Sequence, residues 1–410
     1  MRGEKSLFQR AGMLLSRYGV LGSIPRLARK LLAFTGIAAS HVGHGLEAGS
    51  RSEFESLLSP QNICAGGSAP DRTINWLIPQ LDHGSGGAGT ITKLMAGLGD
   101  LGFRQRAGIL RPGGFSERES AEAVARVRNV AGQSLEAVTT TLADLSPAEY
   151  TIATVWYTAY SAALTKKTKR AYLVQDFEPY FYPVGSTYHF AENTYRLGLR
   201  GITIGSWLCD KLRADYGMVT SAFPFFYDPV TYVRTDSRRL GTRVIFYGRP
   251  STPRRGFELG MLALKKLKLK IPLLEVVLVG GGAEAEILPD WVSDAGSLAP
   301  KDLAALYNGC QAGLVLSLTN LSLVPLEMMA CGCPVVSNHG SNDDFLLRDR
   351  ENSLLAAPSP DSLADSLYLA LTDHGLREKI VDGGFRTCRA ATLQTAVEAF
   401  VRGLSEVDFG

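Results

Sequence analysis

Three arginines stand close together in the segment VIFYGRPSTPRRG (residues 244–256): Arg249, Arg254 and Arg255. A guanidinium is a planar fork of donors that matches phosphate oxygens. The apolar run before Gly248 reads as a strand ending in a tight turn, and strand ends of α/β sheets are where such ligands sit. A diphosphate site is the sharp expectation, and a solvated loop with surface arginines is the plain one. Downstream, EVVLVGGG (residues 275–282) reads as a buried strand that ends in glycines, Gly281 among them. In LSLVPLEMMACGCPVV (residues 321–336) Pro325 can occupy the first turn of a helix. The amides of Leu323 and Val324 would then point out of a helix start that attracts anions. Glu327, one turn in, is placed to accept hydrogen bonds from the sugar hydroxyls of a nucleotide.

A second group lies earlier in the chain. QDFEPYFYPVG (residues 175–185) sets Asp176 and Glu178 at a strand end among Phe177, Tyr180, Phe181 and Tyr182. Rings stack on the C–H faces of a sugar and carboxylates accept from its hydroxyls, so Asp176, then Glu178, are candidates for orienting an acceptor hydroxyl. A structural turn with packed rings is the competing reading. His83 and His189 are candidate bases, although a lone histidine is more often structural. Residues 81–91, LDHGSGGAGTI, fit G-x-G-x-x-G at Gly84, Gly86 and Gly89, a weak signal for a nicotinamide site. The acidic residue such a site needs about 20 residues on is absent: Ile109, Leu110 and Arg111 stand there. An NADP-dependent oxidoreductase survives only through Arg111 and a 2′-phosphate.

The elements that must position these groups follow a βαβ rhythm. Strand-length apolar bursts are expected at residues 73–78, 105–110, 150–155, 171–174 and 201–204, then at 243–247, 274–279, 313–316 and 334–337. The proline-bearing AFPFFYDPVTYVRTDS (residues 222–237) separates the two series. The fold class expected is α/β, with two doubly wound halves facing a cleft. The divisions are a basic extension and linker (1–70), an acceptor half (71–228), a donor half (229–385) and a C-terminal helix (386–410) that can pack back on the first half. With 410 residues, 45% hydrophobic, the chain is long enough for two cores. A net charge of +3 is too mild for a nucleic-acid partner. Six scattered cysteines make neither a zinc spacing nor a disulfide framework. No apolar run is long enough to span a bilayer and no signal peptide is evident, so the cytoplasm is expected. Residues 1–36 carry seven Lys or Arg against one Glu among apolar residues, and could lie on an anionic membrane face. Residues 37–70, rich in Gly, Ser and Ala, read as a linker. KKLKLK (residues 265–270) reads as a solvated helix end.

The order GRP…RRG, VGGG, DLAALY, PLEMMACGCPVV resembles the C-terminal half of family-4 GT-B glycosyltransferases, over residues 242–372. Together with YLVQDFEPYFYPVGS (residues 172–186), SLTNLSLVPLEMMACG (residues 317–332) is similar to WsaF-type rhamnosyltransferases over most of residues 72–370. The resemblance implies a GT-B fold of two Rossmann-like domains. It assigns the donor diphosphate to Arg249 and Arg255 and the nucleoside ribose to Glu327. The donor subsite it implies comprises Gly248, Gly281, Leu298, Thr319, Asn320, Ser322, Leu323 and Val324, with the base read near Leu298. Gly86 and Gly87 would wall the cleft, the helix starting at Thr90. Asp176, Phe177, Glu178 and Tyr182 would meet the acceptor. One departure is plain: Thr319 stands where the family usually carries a glutamate, which points to an unusual donor sugar. The function implied is transfer of a deoxyhexose, L-rhamnose from dTDP-L-rhamnose, to a glycan or lipid-linked glycan in cell-surface polysaccharide synthesis. Retention is expected, with the departing phosphate helping to deprotonate the acceptor. No cofactor is expected, and no metal, since no Asp-x-Asp motif occurs. A GT-B-like binding module that has lost catalysis is the alternative.

Overall fold

The computed structural model describes residues 51–59, 69–81, 86–236, 239–284, 286–340 and 345–408. All belong to the second of two compact units, residues 1–45 and 46–410. The basic segment 1–36, His83 and Gly84 lie outside the described residues.

Among the described residues the strands form two wholly parallel sheets. The first holds β1 (Thr73–Ile78), β2 (Arg104–Ile109), β3 (Ala137–Thr139), β4 (Tyr150–Ala153), β5 (Lys169–Val174), β6 (Arg200–Ile204) and β7 (Thr220–Phe223), in the order β3-β2-β1-β4-β5-β6-β7. The second holds β8 (Leu240–Tyr247), β9 (Glu275–Val279), β10 (Val292–Asp294), β11 (Cys310–Val315), β12 (Val335–Asn338) and β13 (Leu354–Ala356), in the order β10-β9-β8-β11-β12-β13. Each sheet reverses its winding once, between β1 and β4 and between β8 and β11. At such a switch point the flanking connections leave on opposite faces and open a crevice outside the carboxyl ends of the strands. The central strands are buried on both faces, as in β1, β4 and β9, because parallel crossovers cover both sides of a sheet with helices.

The first helix, α1 (Arg51–Leu58), falls within the stretch expected to be linker. Phe54 and Leu57, one turn apart, give it an apolar face: Phe54 stacks on Phe190 at 4.3 Å, and Leu57 is buried with Trp156 and Tyr160. Next come α2 (Gly86–Asp100), α3 (Glu117–Ala131), α4 (Trp156–Leu164), α5 (Ser186–Asn193) and α6 (Ser206–Tyr216). In the second half lie α7 (Phe257–Lys270), α8 (Pro300–Gly309), α9 (Val324–Ala330), α10 (Pro360–Thr372) and α11 (His374–Ala390). The last helix, α12 (Leu393–Ser405), returns to the first half, where Phe400 packs 6.0 Å from Trp76 and 5.6 Å from Phe223, centroid to centroid. None of the described helices is long and apolar enough to cross a membrane.

One expected boundary moves. Helix α2 begins at Gly86, four residues before Thr90, so Gly86 and Gly87 form its first turn and are not a free loop. A Cβ on Gly87 would make an ordinary contact, 3.5 Å, with the Gln175 side chain at the end of β5, and one on Gly86 would meet nothing, so space does not demand glycine at either position.

Candidate active site

The β8 turn is built by close approach. A Cβ on Gly248 would lie 2.6 Å from Phe246 and 2.9 Å from Leu278, and the Gly248 N–H donates to the Val279 carbonyl at 3.1 Å. The turn is thereby pinned to the end of β9. Gly280 and Gly281 there adopt φ +120° and +74°, a region costly to residues with a Cβ. Arg249 lies across Gly280, where a Cβ would come within 2.7 Å of Arg249 Cγ. A short 3-10 turn at Pro253–Arg255 then carries the other two arginines. Arg255 Nη1 donates to Ser317 Oγ at 2.7 Å, and the Leu318 N–H donates to the Arg254 carbonyl at 3.0 Å. The turns that follow β8 and β11, on either side of the switch point, are therefore one bonded unit.

That unit is fastened to the first half. Asp176, at the end of β5, accepts from Thr319 Oγ1 at 2.9 Å, the Asn320 N–H at 2.9 Å and the Phe177 N–H at 2.8 Å. Asn320 Nδ2 donates to the carbonyls of Gln175 at 2.9 Å and Ile204 at 3.3 Å. The Arg254 guanidinium lies 3.9 Å from the centroid of the Phe181 ring, and its Nε is 3.6 Å from Asp176 Oδ2. Burial pushes the Arg254 pKa down and Asp176 holds it up, while Arg255 and Arg249 add like charge.

Glu178 has different partners. It accepts from the Trp156 N–H at 2.8 Å, at the start of α4, and from the Tyr172 hydroxyl at 2.9 Å. Burial pushes its pKa up to about 8 against the pull of both hydrogen bonds, so it is largely protonated at neutral pH. Phe177 is 1% exposed and sits 5.5 Å from Tyr195 and 4.6 Å from Tyr180, a core ring with no face for a sugar. The Tyr182 hydroxyl accepts from Trp156 Nε1 at 2.9 Å. Asp176, Phe177 and Glu178 were expected to meet an acceptor. Their polar atoms and ring face are instead engaged within the protein, because the strand end they occupy is capped by the second half and by α4. His189 is an exposed partner of Glu192.

Helix α9 begins as expected, with Leu323 at its N-cap and Pro325 in its first turn. Burial pushes Glu327 up to about 7, countered by Lys93 of α2 and by a hydrogen bond with the Tyr232 hydroxyl. Leu298 is half-buried and packs on the core beside Leu303 and Leu306. Several buried polar atoms lack any partner: Arg249 Nε, Arg254 Nε, Asn320 Oδ1, Ser322 Oγ and the Tyr307 hydroxyl. Three more, Asn75 Oδ1, Arg200 Nε and Ser221 Oγ, lie in strands of the first half. Four of the eight, Arg249 Nε, Arg254 Nε, Asn320 Oδ1 and Ser322 Oγ, belong to the turns that follow β8 and β11, and such unpaired atoms are costly. A cavity of about 680 Å³ lined by Gly205, Phe225, Phe345 and Arg386 contains none of these residues. Its wall is mixed, with Arg348, Glu351 and Asn352 beside the aromatic rings. The sequence placed Arg254 among the arginines of the expected diphosphate site without separating its role from those of its neighbours, and it gave no sign of Lys93 or Tyr232.

Gathered at the switch point of the second sheet are Gly248, Arg249, Arg255, Gly281, Thr319 and Asn320, with Ser322, Leu323 and Val324 opening α9. Comparison with known proteins identifies the fold and the family. Residues 242–368 match the model of the WsaF C-terminal domain, and residues 133–206 match that of the WsaF N-terminal domain. The O-antigen biosynthesis protein RfbC of Myxococcus xanthus is 32% identical over 352 residues, which are 81% of this chain and 27% of RfbC. A phosphatidyl-myo-inositol mannosyltransferase of Mycobacterium leprae is 30% identical over 164 residues, 37% of this chain and 43% of that protein. The chain thus spans about a quarter of the first of these relatives and less than half of the second. Among solved structures, HepE of Anabaena in complex with UDP aligns with a TM-score of 0.64 at 16% identity, over 81% of this chain and 100% of that one. Sucrose-phosphate synthase of Thermosynechococcus elongatus aligns with a TM-score of 0.59 at 15% identity, over 80% and 98%. The chain belongs to the WsaF type of GT-B glycosyltransferases.

Proposed function

We propose that this chain transfers L-rhamnose from dTDP-L-rhamnose to a hydroxyl of a glycan or lipid-linked glycan, in the synthesis of a cell-surface polysaccharide. The observation that carries the reading is the charge balance at the switch point. Arg254 lies 3.6 Å from Asp176 and feels the like charge of Arg249 and Arg255, while the nearby Glu178 is held neutral by burial. Such a surplus of half-buried positive charge suits the anion that departs when a sugar leaves a nucleoside diphosphate. Support for a nucleotide-sugar donor comes also from HepE, described in complex with UDP-glucose, and for a polysaccharide product from RfbC.

In the reaction the bond between the anomeric carbon and the diphosphate oxygen breaks, and the acceptor oxygen forms the new glycosidic bond. The acceptor proton passes to the departing phosphate on the same face, which gives retention and asks no strong base of the protein. That fits Asp176 and Glu178, whose carboxyl oxygens are engaged elsewhere. The arginines stabilise the charge as it develops, and no metal is invoked. Contact between the two halves excludes water that would hydrolyse the donor. Residues 1–36 would hold the protein at the cytoplasmic face of an anionic membrane, and their deletion should abolish co-sedimentation with anionic vesicles.

The test is a thermal-shift series with dTDP, UDP, GDP and their sugars, since a ligand of the folded state raises its melting point. A preference for dTDP-L-rhamnose that Arg249→Ala abolishes is the expected result. Preference for UDP or GDP would overturn the rhamnose donor. No response to any nucleotide would overturn the donor site itself.

A further inference from the structure

Arg254 belongs to the second half by chain and is held by the first. Its guanidinium rests on Phe181, and its neighbour Asp176 lies 3.6 Å away at the end of β5. This is a loose ion pair, because both Asp176 oxygens already accept hydrogen bonds: Oδ1 from the Asn320 and Phe177 N–H groups, Oδ2 from the Thr319 hydroxyl. Neutral donors thus occupy the carboxylate, and the positive charge of Arg254 is only partly answered. Its Nε, the atom nearest Asp176, makes no hydrogen bond, and Arg249 and Arg255 stand close enough to repel it. A cation kept beside two others and only loosely paired lacks an anion. The ring of Phe181 and the charge of Asp176 also restrict the side chain, so its fork is aimed before any ligand arrives.

We propose that Arg254 is a third phosphate-binding residue for the nucleoside diphosphate, and that Asp176, docked on Thr319 and Asn320, is the positioning residue that aims it. This rests on the reading of the arginine cluster as the donor site. Donor binding and the seating of the two halves on one another are then coupled: each half supplies part of the grip on the diphosphate, the first half by holding an arginine of the second.

The test is a double-mutant cycle on the full chain, with dTDP and thymidine as probes and calorimetric affinity as the readout. Arg254→Ala should weaken dTDP binding by about tenfold, the size expected for losing a charge-assisted hydrogen bond, and leave thymidine binding unchanged. Asp176→Asn should weaken dTDP binding less. The double variant should be no weaker than Arg254→Ala alone, because Asp176 acts through the arginine. Arg254→Lys, which keeps charge but not the planar fork, should fall between wild type and Arg254→Ala and serves as a second, folded probe. Two results overturn the proposal: unchanged dTDP affinity in Arg254→Ala while Arg249→Ala loses it, or strictly additive losses in the cycle. Neither touches the donor-site reading. That reading fails separately if the wild type binds no nucleoside diphosphate.

Discussion

The Thr319 hydroxyl donates to Asp176 Oδ2 at 2.9 Å across 143 residues of sequence, and both residues are less than a tenth exposed. The hydroxyl that replaces the usual glutamate is therefore matched to a carboxylate arriving from the other half. A glutamate here would set two carboxylates against each other in a site closed to water.

Thr319→Glu tests that pairing. Breaking a buried polar pair and adding like charge should destabilise the protein by about 3 kcal/mol. Asp176→Asn in the same chain should restore much of the loss, since an amide can donate to the new carboxylate. Thr319→Ser should stay near wild type. Urea unfolding midpoints of the four proteins decide the matter, and a Thr319→Glu midpoint equal to wild type would show that the contact is not formed in solution.

Glu178 makes stability depend on pH. Its folded pKa, about 8, lies above the ordinary 4.5, so the folded state retains a proton that the unfolded chain has released. Stability should therefore be fullest below about pH 4.5, as far as this group contributes, and should decline as pH rises toward 8. Glu178→Gln keeps an acceptor for the Trp156 N–H and cannot ionise. Its melting temperature should lose the part of the decline between pH 5 and 8 that Glu178 causes. Parallel curves for the two proteins would mean that Glu178 is ionised in the fold.

Much of this architecture is legible in the residues. Apolar bursts locate β1 to the residue and several other strands to within a few positions, because central parallel strands are buried on both faces. The short strands β3, β10 and β13 are three residues each, too brief for a pattern. The glycine run after β9 and the Arg254–Arg255 doublet mark the proposed phosphate end, because their chemistry is local. The Asp176–Thr319 pairing is not local, and nothing in QDFEPYFYPVG says whether its acids face solvent, ligand or protein. An acid among aromatic residues at a strand end reads alike in all three cases. Only the way the second half caps β5 distinguishes them.

Gly281 has room for nothing larger. It adopts φ +74°, and a Cβ would meet Ser297 Oγ at 2.4 Å. Gly281→Ala should cost about 1–2 kcal/mol in backbone strain alone, and the displaced Ser297 should carry the turn beside Arg249 with it. The expected outcome is a lower melting temperature together with weaker dTDP binding. A variant that melts lower yet binds dTDP as tightly as wild type would separate this turn from the donor site.

Glu327 should make donor affinity depend on pH in the opposite sense to the stability effect of Glu178. Burial holds its pKa near 7, while Lys93 and the Tyr232 hydroxyl favour the charged form. An ionised carboxylate is the stronger acceptor for a hydroxyl of the nucleoside sugar. Affinity should then rise from pH 6 to pH 8 as Glu327 loses its proton. The probe should be the intact nucleotide sugar, because the terminal phosphate of a free diphosphate titrates in the same range and would confound the result. Glu327→Gln should flatten the profile near its low-pH level. Lys93→Met removes a charge that favours ionisation, so it should move the wild-type rise to higher pH. A profile that keeps its slope in Glu327→Gln would place the titrating group elsewhere and leave Glu327 without a part in holding the donor.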